Sequence, residues 1–90
     1  MKLSVRIRLY NDTRPNPARV LAFAELHIDD SFAVKRIRIL KKPDRPPFVV
    51  FPAEKGEGGQ WVDIAHPLNS ETRAACLSLI LDEYRRVSSR

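Results

Sequence analysis

At 90 residues the chain can build one hydrophobic core but not two, so a single domain spanning residues 1–90 is expected, and its 43% hydrophobic and 30% charged composition excludes a low-complexity segment. The single cysteine, Cys76, excludes an intrachain disulfide and fits a reducing compartment, and neither the apolar stretch of a secretory signal in Met1–Tyr10 nor the roughly 18 apolar residues of a membrane span can be found, so the cytoplasm is the expected location. Sixteen Lys and Arg against eleven Asp and Glu leave a net charge of +5, which suits a polyanionic partner, and so small a core without disulfide or metal cluster points to oligomerisation.

Leu3, Val5, Ile7 and Leu9 alternate with Lys2, Ser4, Arg6 and Arg8, the period of a strand with one buried face and one wet, basic face. Asn11–Pro17 is rich in turn-forming pairs and reads as a loop. A second strand follows from Arg19, with Val20, Ala22, Ala24, Leu26 and Ile28 on one face, and Asp29-Asp30 closes it as a hairpin turn. In the third run, Phe32 to Leu40, Phe32 and Val34 share a parity that Ile37 and Ile39 break. One extra residue at Lys35-Arg36 restores the phase, so a β-bulge is predicted there. Lys41–Pro47 is a proline-bearing loop. Phe48–Phe51 is a short apolar strand at or near a sheet edge, and Trp61–Ile64, beyond the glycine-rich turn Glu54–Gly59, is predicted to pair with it as a second hairpin.

Past Pro67 the period changes. Cys76, Leu77, Ile80, Leu81, Tyr84 and Val87 recur at three- and four-residue spacing, which predicts an amphipathic helix over Ser70–Val87, with Ser70 as N-cap, Glu71 in the first turn and Arg85-Arg86 in the last. The fold class is therefore α+β: an antiparallel sheet of four to five strands covered on one face by a C-terminal amphipathic helix.

The run Asp63-Ile64-Ala65-His66-Pro67-Leu68-Asn69-Ser70, followed by Thr72-Arg73 and by Glu83-Tyr84-Arg85-Arg86, resembles the "DIAHPIN" segment and following helix of the SpoVG family of bacterial septation regulators. Phe32-Ala33-Val34 with Ile37-Arg38-Ile39, and Phe48-Val49-Val50-Phe51-Pro52, resemble two strands of that family in the same order. The resemblance implies a small cytoplasmic protein, dimeric through its sheet, that regulates by binding DNA and in some cases RNA. Two places depart from the family pattern: Ala74-Ala75 stand where many members have Gly-Lys, and Glu54-Lys55 where the family has a basic pair.

Basic residues concentrate on Lys2, Arg6 and Arg8 and around the third strand, at Lys35, Arg36, Arg38, Lys41, Lys42 and Arg45, nine of the sixteen in all. Lys35, Arg36, Arg38, Lys41 and Lys42 are assigned to phosphate contact, which supplies affinity; Ser70, Thr72, Arg73 and the rest of Ser70–Ala75 are assigned to base edges, which supply preference. Arg73 falls in line with the apolar stripe of the helix. It is read either as snorkelling or paired with Asp63, or as a phosphate clamp beside the helix N-terminus. His66 and Asp63 lack a nucleophile and an oxyanion arrangement, so no enzyme is expected, and no cofactor or metal. His66 is read as bonding the turn that launches the helix, Cys76 as a buried small hydrophobe, and Trp61 and Tyr84 as core residues. The rival reading is a dimeric protein-interaction module of the division or transcription machinery.

Overall fold

The structure is a computed structural model, and it describes residues 1–15 and 17–89. Strands β1 (Leu3–Leu9), β2 (Arg19–Ile28), β3 (Phe32–Lys41) and β4 (Phe48–Val50) form one antiparallel sheet in the order β1-β2-β3-β4. Strands β5 (Ala53–Lys55) and β6 (Trp61–Asp63) form a separate two-stranded hairpin, and helix α1 (Ser70–Ser88) ends the chain. The α+β class stands. The second hairpin differs from expectation, because Trp61 pairs with Lys55 and not with the strand at Phe48. Pro52 cannot continue the β3–β4 ladder, so the chain turns there, and three residues suffice to start a new pair. Gly59, at φ 84°, closes that pair.

The core assembles from the faces that the alternation marks out. Ala22, Ala24 and Leu26 of β2 and Ile37 and Ile39 of β3 are buried against Cys76 and Ile80 of α1, with Phe51 at one end. Two alanines in the middle strand let the helix come close to the sheet, and α1 packs along β1 while touching β2 and β4. The last turns of α1 carry Arg85 on Asp82 at 2.7 Å and Arg86 on Glu83 at 2.5 and 2.9 Å, solvent-exposed pairs that contribute little to stability.

The bulge lies where the parity change requires it. Leu26 faces Val34 and Ala24 faces Ile37, so Glu25 alone opposes both Lys35 and Arg36, and Arg36 takes a left-handed φ of 63°. Without the extra residue either Val34 or Ile37 would be turned to solvent. A second irregularity, between Val20 and Ala22, was not foreseen; Leu21 is the extra residue. The Asp29-Asp30 turn is confirmed, both residues being left-handed (φ 52° and 54°), a conformation that the short side chain of Asp tolerates. It is tied to the N-terminus: the Lys2 amide donates to Asp29 Oδ1 at 2.7 Å and Lys2 Nζ to Asp30 Oδ2 at 2.8 Å.

The β1–β2 loop is held by one buried carboxylate. Asp12 accepts from Arg14 Nε and a terminal guanidinium nitrogen at 2.9 and 2.8 Å, and from the amides of Arg14 and Val20, both at 3.0 Å. Among the described residues no helix is long and apolar enough to cross a membrane.

Candidate nucleic-acid interface

The N-cap of α1 is Asn69, one residue before the predicted Ser70: its extended backbone places Oδ1 2.8 Å from the Thr72 amide, which donates to it. Asn and Ser cap about equally well, so neighbouring candidates are decided by where the chain leaves the preceding turn. That turn is organised by His66, whose Nδ1 bonds the Pro67 carbonyl at 3.0 Å, as expected, and whose Nε2 stands 3.8 Å from Asp63 Oδ2. Upstream, the Ile64 amide donates to the Pro52 carbonyl at 2.8 Å and locks the β6 end against the end of β4.

These anchors set the helix entrance beside the outer strand and form a groove of about 440 Å³. Val49, Val50 and Phe51 line it from the sheet, Trp61 and Asp63 from the small hairpin, and Arg38 and Arg73 supply its positive charge. Arg73 is exposed, not buried in the apolar stripe, and its guanidinium carbon lies 5.8 Å from the centroid of the Phe51 ring. The pairing with Asp63 does not form among the described residues; snorkelling over an aromatic ring does.

The remaining predicted residues separate into three places. Lys35 and Arg36 sit in the bulge on the sheet face opposite the helix, with Arg6 and Arg8 around a second depression, and Lys35 Nζ is 3.8 Å from Glu25. Lys41 ends β3 and Lys42 follows it; Lys41 Nζ donates to the Lys42 carbonyl at 2.5 Å, and Lys42 Nζ lies 6.0 Å from the Phe48 ring centroid. Ser70 is exposed on the first turn of α1, whereas Thr72 faces an apolar cavity shared with Leu3, Leu26, Val34 and Cys76. Thr72 and Arg73 thus point to different surfaces, as neighbours on a helix must.

Sequence reasoning missed the aromatic partners of the cations. Trp61, expected in the core, is 66% exposed, because a two-stranded hairpin has no second layer to cover it; Lys55 Nζ lies 5.9 Å from its ring centroid. Arg45 stacks at 4.2 Å over Phe48. The signal was available in the brevity of the apolar run at Trp61–Ile64 and in the glycines before it. Tyr84 does pack against the core, and Cys76 is buried, its thiol pushed up by that burial. Glu25 is held below the usual carboxylate range, first by its 2.5 Å bond to His27 Nε2 and then by Lys35.

The SpoVG family profile matches residues 1–86. A septation protein SpoVG 2 of Listeria monocytogenes serotype 4b (strain F2365) is 41% identical over 69 residues, covering 77% of this chain and 67% of that protein. The septation protein SpoVG of Caldanaerobacter subterraneus subsp. tengcongensis is 34% identical over 87 residues, 96% of this chain and 90% of its own length. That of Bacillus velezensis is 35% identical over 83 residues, 92% and 80% respectively. With the matched segment spanning every strand and nearly all of the helix, the chain belongs to the SpoVG family.

Proposed function

We propose that the protein is a cytoplasmic nucleic-acid-binding regulator of septation, acting on DNA and in some cases RNA, as a homodimer and without catalysis or cofactor. One observation carries the reading: two arginines from distant parts of the sequence, Arg38 and Arg73, converge on one groove with an exposed tryptophan between strand edge and helix entrance. A guanidinium can hold two phosphate oxygens, and the groove offers two of them with an aromatic face alongside. Lys41, Lys42 and Arg45 extend the positive charge along the end of β3 and its loop. Dimerisation through the sheet is supported by its outer strands, β1 and β4, each paired on one side only.

Anisotropy titrations across a salt series test the reading. With roughly three to six phosphates neutralised per protomer, the log–log slope of affinity against salt is about −2 to −5. Lys41→Ala with Lys42→Ala weakens all sequences alike and flattens the slope by about 1.4 to 1.8. Arg73→Ala costs about 1–3 kcal/mol if it reads a base edge and leaves preference unchanged if it holds phosphate alone. A 10.3 kDa species alone in sedimentation equilibrium at micromolar concentration would refute the dimer.

A second reading, a protein-interaction module, is favoured by Trp61, Ile64 and Leu68, large apolar side chains within one short stretch of sequence that are 66%, 62% and 88% exposed. Salt-independent behaviour, with no binding to any nucleic acid at low salt, decides for it.

A further inference from the structure

Helix α1 covers one face of the four-stranded sheet; among the described residues no element covers the other. The registers place Arg8 opposite Phe23, Phe23 opposite Arg38, and Arg38 opposite Val50, so one cross-strand row runs over all four strands. Ala22, Ala24, Ile37 and Ile39, adjacent in sequence to Phe23 and Arg38, are buried under the helix, so the row faces the other way. The Tyr10 ring stands edge-on to Phe23 at 5.3 Å and 79°, and the Arg8 guanidinium lies 5.2 Å over the same ring. In the next row Arg6 faces Glu25, which opposes the bulge residues Lys35 and Arg36.

The charge of this face is one-sided. Its acid, Glu25, is already engaged by His27 and Lys35, and among the described residues Arg6, Arg8, Arg36 and Arg38 have no carboxylate within salt-bridge distance. Solubility alone would account for the arginines but not for a phenylalanine and a tyrosine at their centre. We infer that the open face is a stacking platform for single-stranded nucleic acid, an inference that rests on the nucleic-acid reading above and names the strand state it selects. In a duplex the π faces of the bases are occupied by their neighbours, and a flat sheet reaches only the phosphates. An unpaired base can lie on Phe23 or on the planar Arg8 guanidinium while Arg6, Lys35 and Arg36 meet the backbone. Four strands at about 4.8 Å spacing give roughly 14 Å, room for two or three bases. Arg38 and Val50 also line the groove of Arg73 and Trp61, so the track continues over the β4 edge onto a further exposed ring.

The test uses the full chain, a labelled RNA and a labelled DNA of about 20 nucleotides, and duplexes of the same sequences, followed by anisotropy. Single strands bind more tightly than duplexes, and Phe23→Leu, which keeps an apolar side chain but no π face, weakens single-strand binding by about 5- to 20-fold with duplex affinity and salt slope unchanged. Tyr10→Leu, at a residue already 45% exposed, gives a loss in the same direction without burdening the fold. In the wild-type protein the Phe23 and Tyr10 ring resonances shift when single strand is added, a readout independent of any variant. Unchanged single-strand affinity in both variants, while Lys41→Ala with Lys42→Ala still weakens binding, overturns the platform and leaves the nucleic-acid reading standing. No binding to any strand at low salt overturns both. Equal affinity for polyglutamate and single-stranded RNA overturns the platform in favour of an acidic protein partner.

Discussion

Replacing Ile80 with alanine tests how α1 is seated, and hence where Arg73 is presented. Ile80 is 0% exposed and belongs to the same cluster as Ala22, Ala24, Ile37 and Ile39. The substitution removes three carbons, worth about 2.4 kcal/mol at about 0.8 kcal/mol each. The surroundings are poorly able to fill the void: the two alanines have nothing to extend, and the isoleucines are stiff at χ1. A cavity contribution therefore adds to the transfer loss, for a total of about 3–4 kcal/mol, within the 2–5 kcal/mol usual for such truncations. In a domain of about 5–15 kcal/mol total stability this is a large share, and at about 4–8 °C per kcal/mol it lowers the thermal midpoint by roughly 12–30 °C. Urea unfolding followed by far-UV circular dichroism, at fixed protein concentration because association stabilises, measures it. Leu68→Ala, at a residue 88% exposed, is the control and shifts stability by no more than about 0.5 kcal/mol. A loss below about 1 kcal/mol for Ile80→Ala would show that the helix does not rest on the alanine pair.

Asp12 is held well below the usual carboxylate range, first by the Arg14 guanidinium and then by the Val20 amide, so its ionised form stabilises the fold fully above about pH 4, and that stability is lost as pH falls toward the depressed folded value. Asp12→Asn should flatten the acid side of a plot of thermal midpoint against pH, and an unchanged acid limb would refute the assignment. The Cys76 thiol, 2% exposed and pushed up by burial, should react with a disulfide reagent only as fast as the protein opens, and labelling at the rate of a free thiol would place it at the surface.

What could be read from the residues was whatever depends on periodicity. The strict alternation of β1 and β2, the parity slip at Lys35-Arg36 and the three-four spacing from Cys76 to Val87 each have one physical solution, and the structure contains all three. What could not be read depends on which partner a short segment finds. Trp61–Asp63 carries the same apolar signature whether it joins the main sheet or forms its own hairpin, and the choice is made by Pro52 ending β4 and by a three-residue strand at Ala53 that has no apolar pattern to announce it. The convergence of Arg38 with Arg73 is likewise a matter of the turn at His66 and the cap at Asn69, not of spacing. Phe23 has no role assigned by the sequence for a related reason: alternation puts it with Leu21, Glu25 and His27 on the mixed face of β2, and only the pairing shows that Arg8 and Arg38 flank it there.

The two departures from the family pattern bear on where the electrostatic work is done. Ala74 and Ala75 are exposed on α1, so no structural demand for burial explains them. The first turns of the helix present Glu71 and Arg73, whose charges offset, and the β5–β6 hairpin presents Glu54 beside Lys55 in the same way. The open sheet face and its bulge present Arg6, Arg8, Lys35, Arg36 and Arg38 against Glu25, which is already engaged. Fields from like charges on neighbouring strands add at a phosphate, whereas opposite charges only one or two residues apart, such as Glu54 with Lys55 and Glu71 with Arg73, largely cancel at distances beyond their own separation. Under the proposed nucleic-acid function, long-range attraction of the polyanion originates on the strands, and the helix entrance adds one directional contact, Arg73, once the two have met. Removing positive charge from β1 or β3 should act chiefly on the association rate and its salt dependence, while removing Arg73 should act chiefly on dissociation.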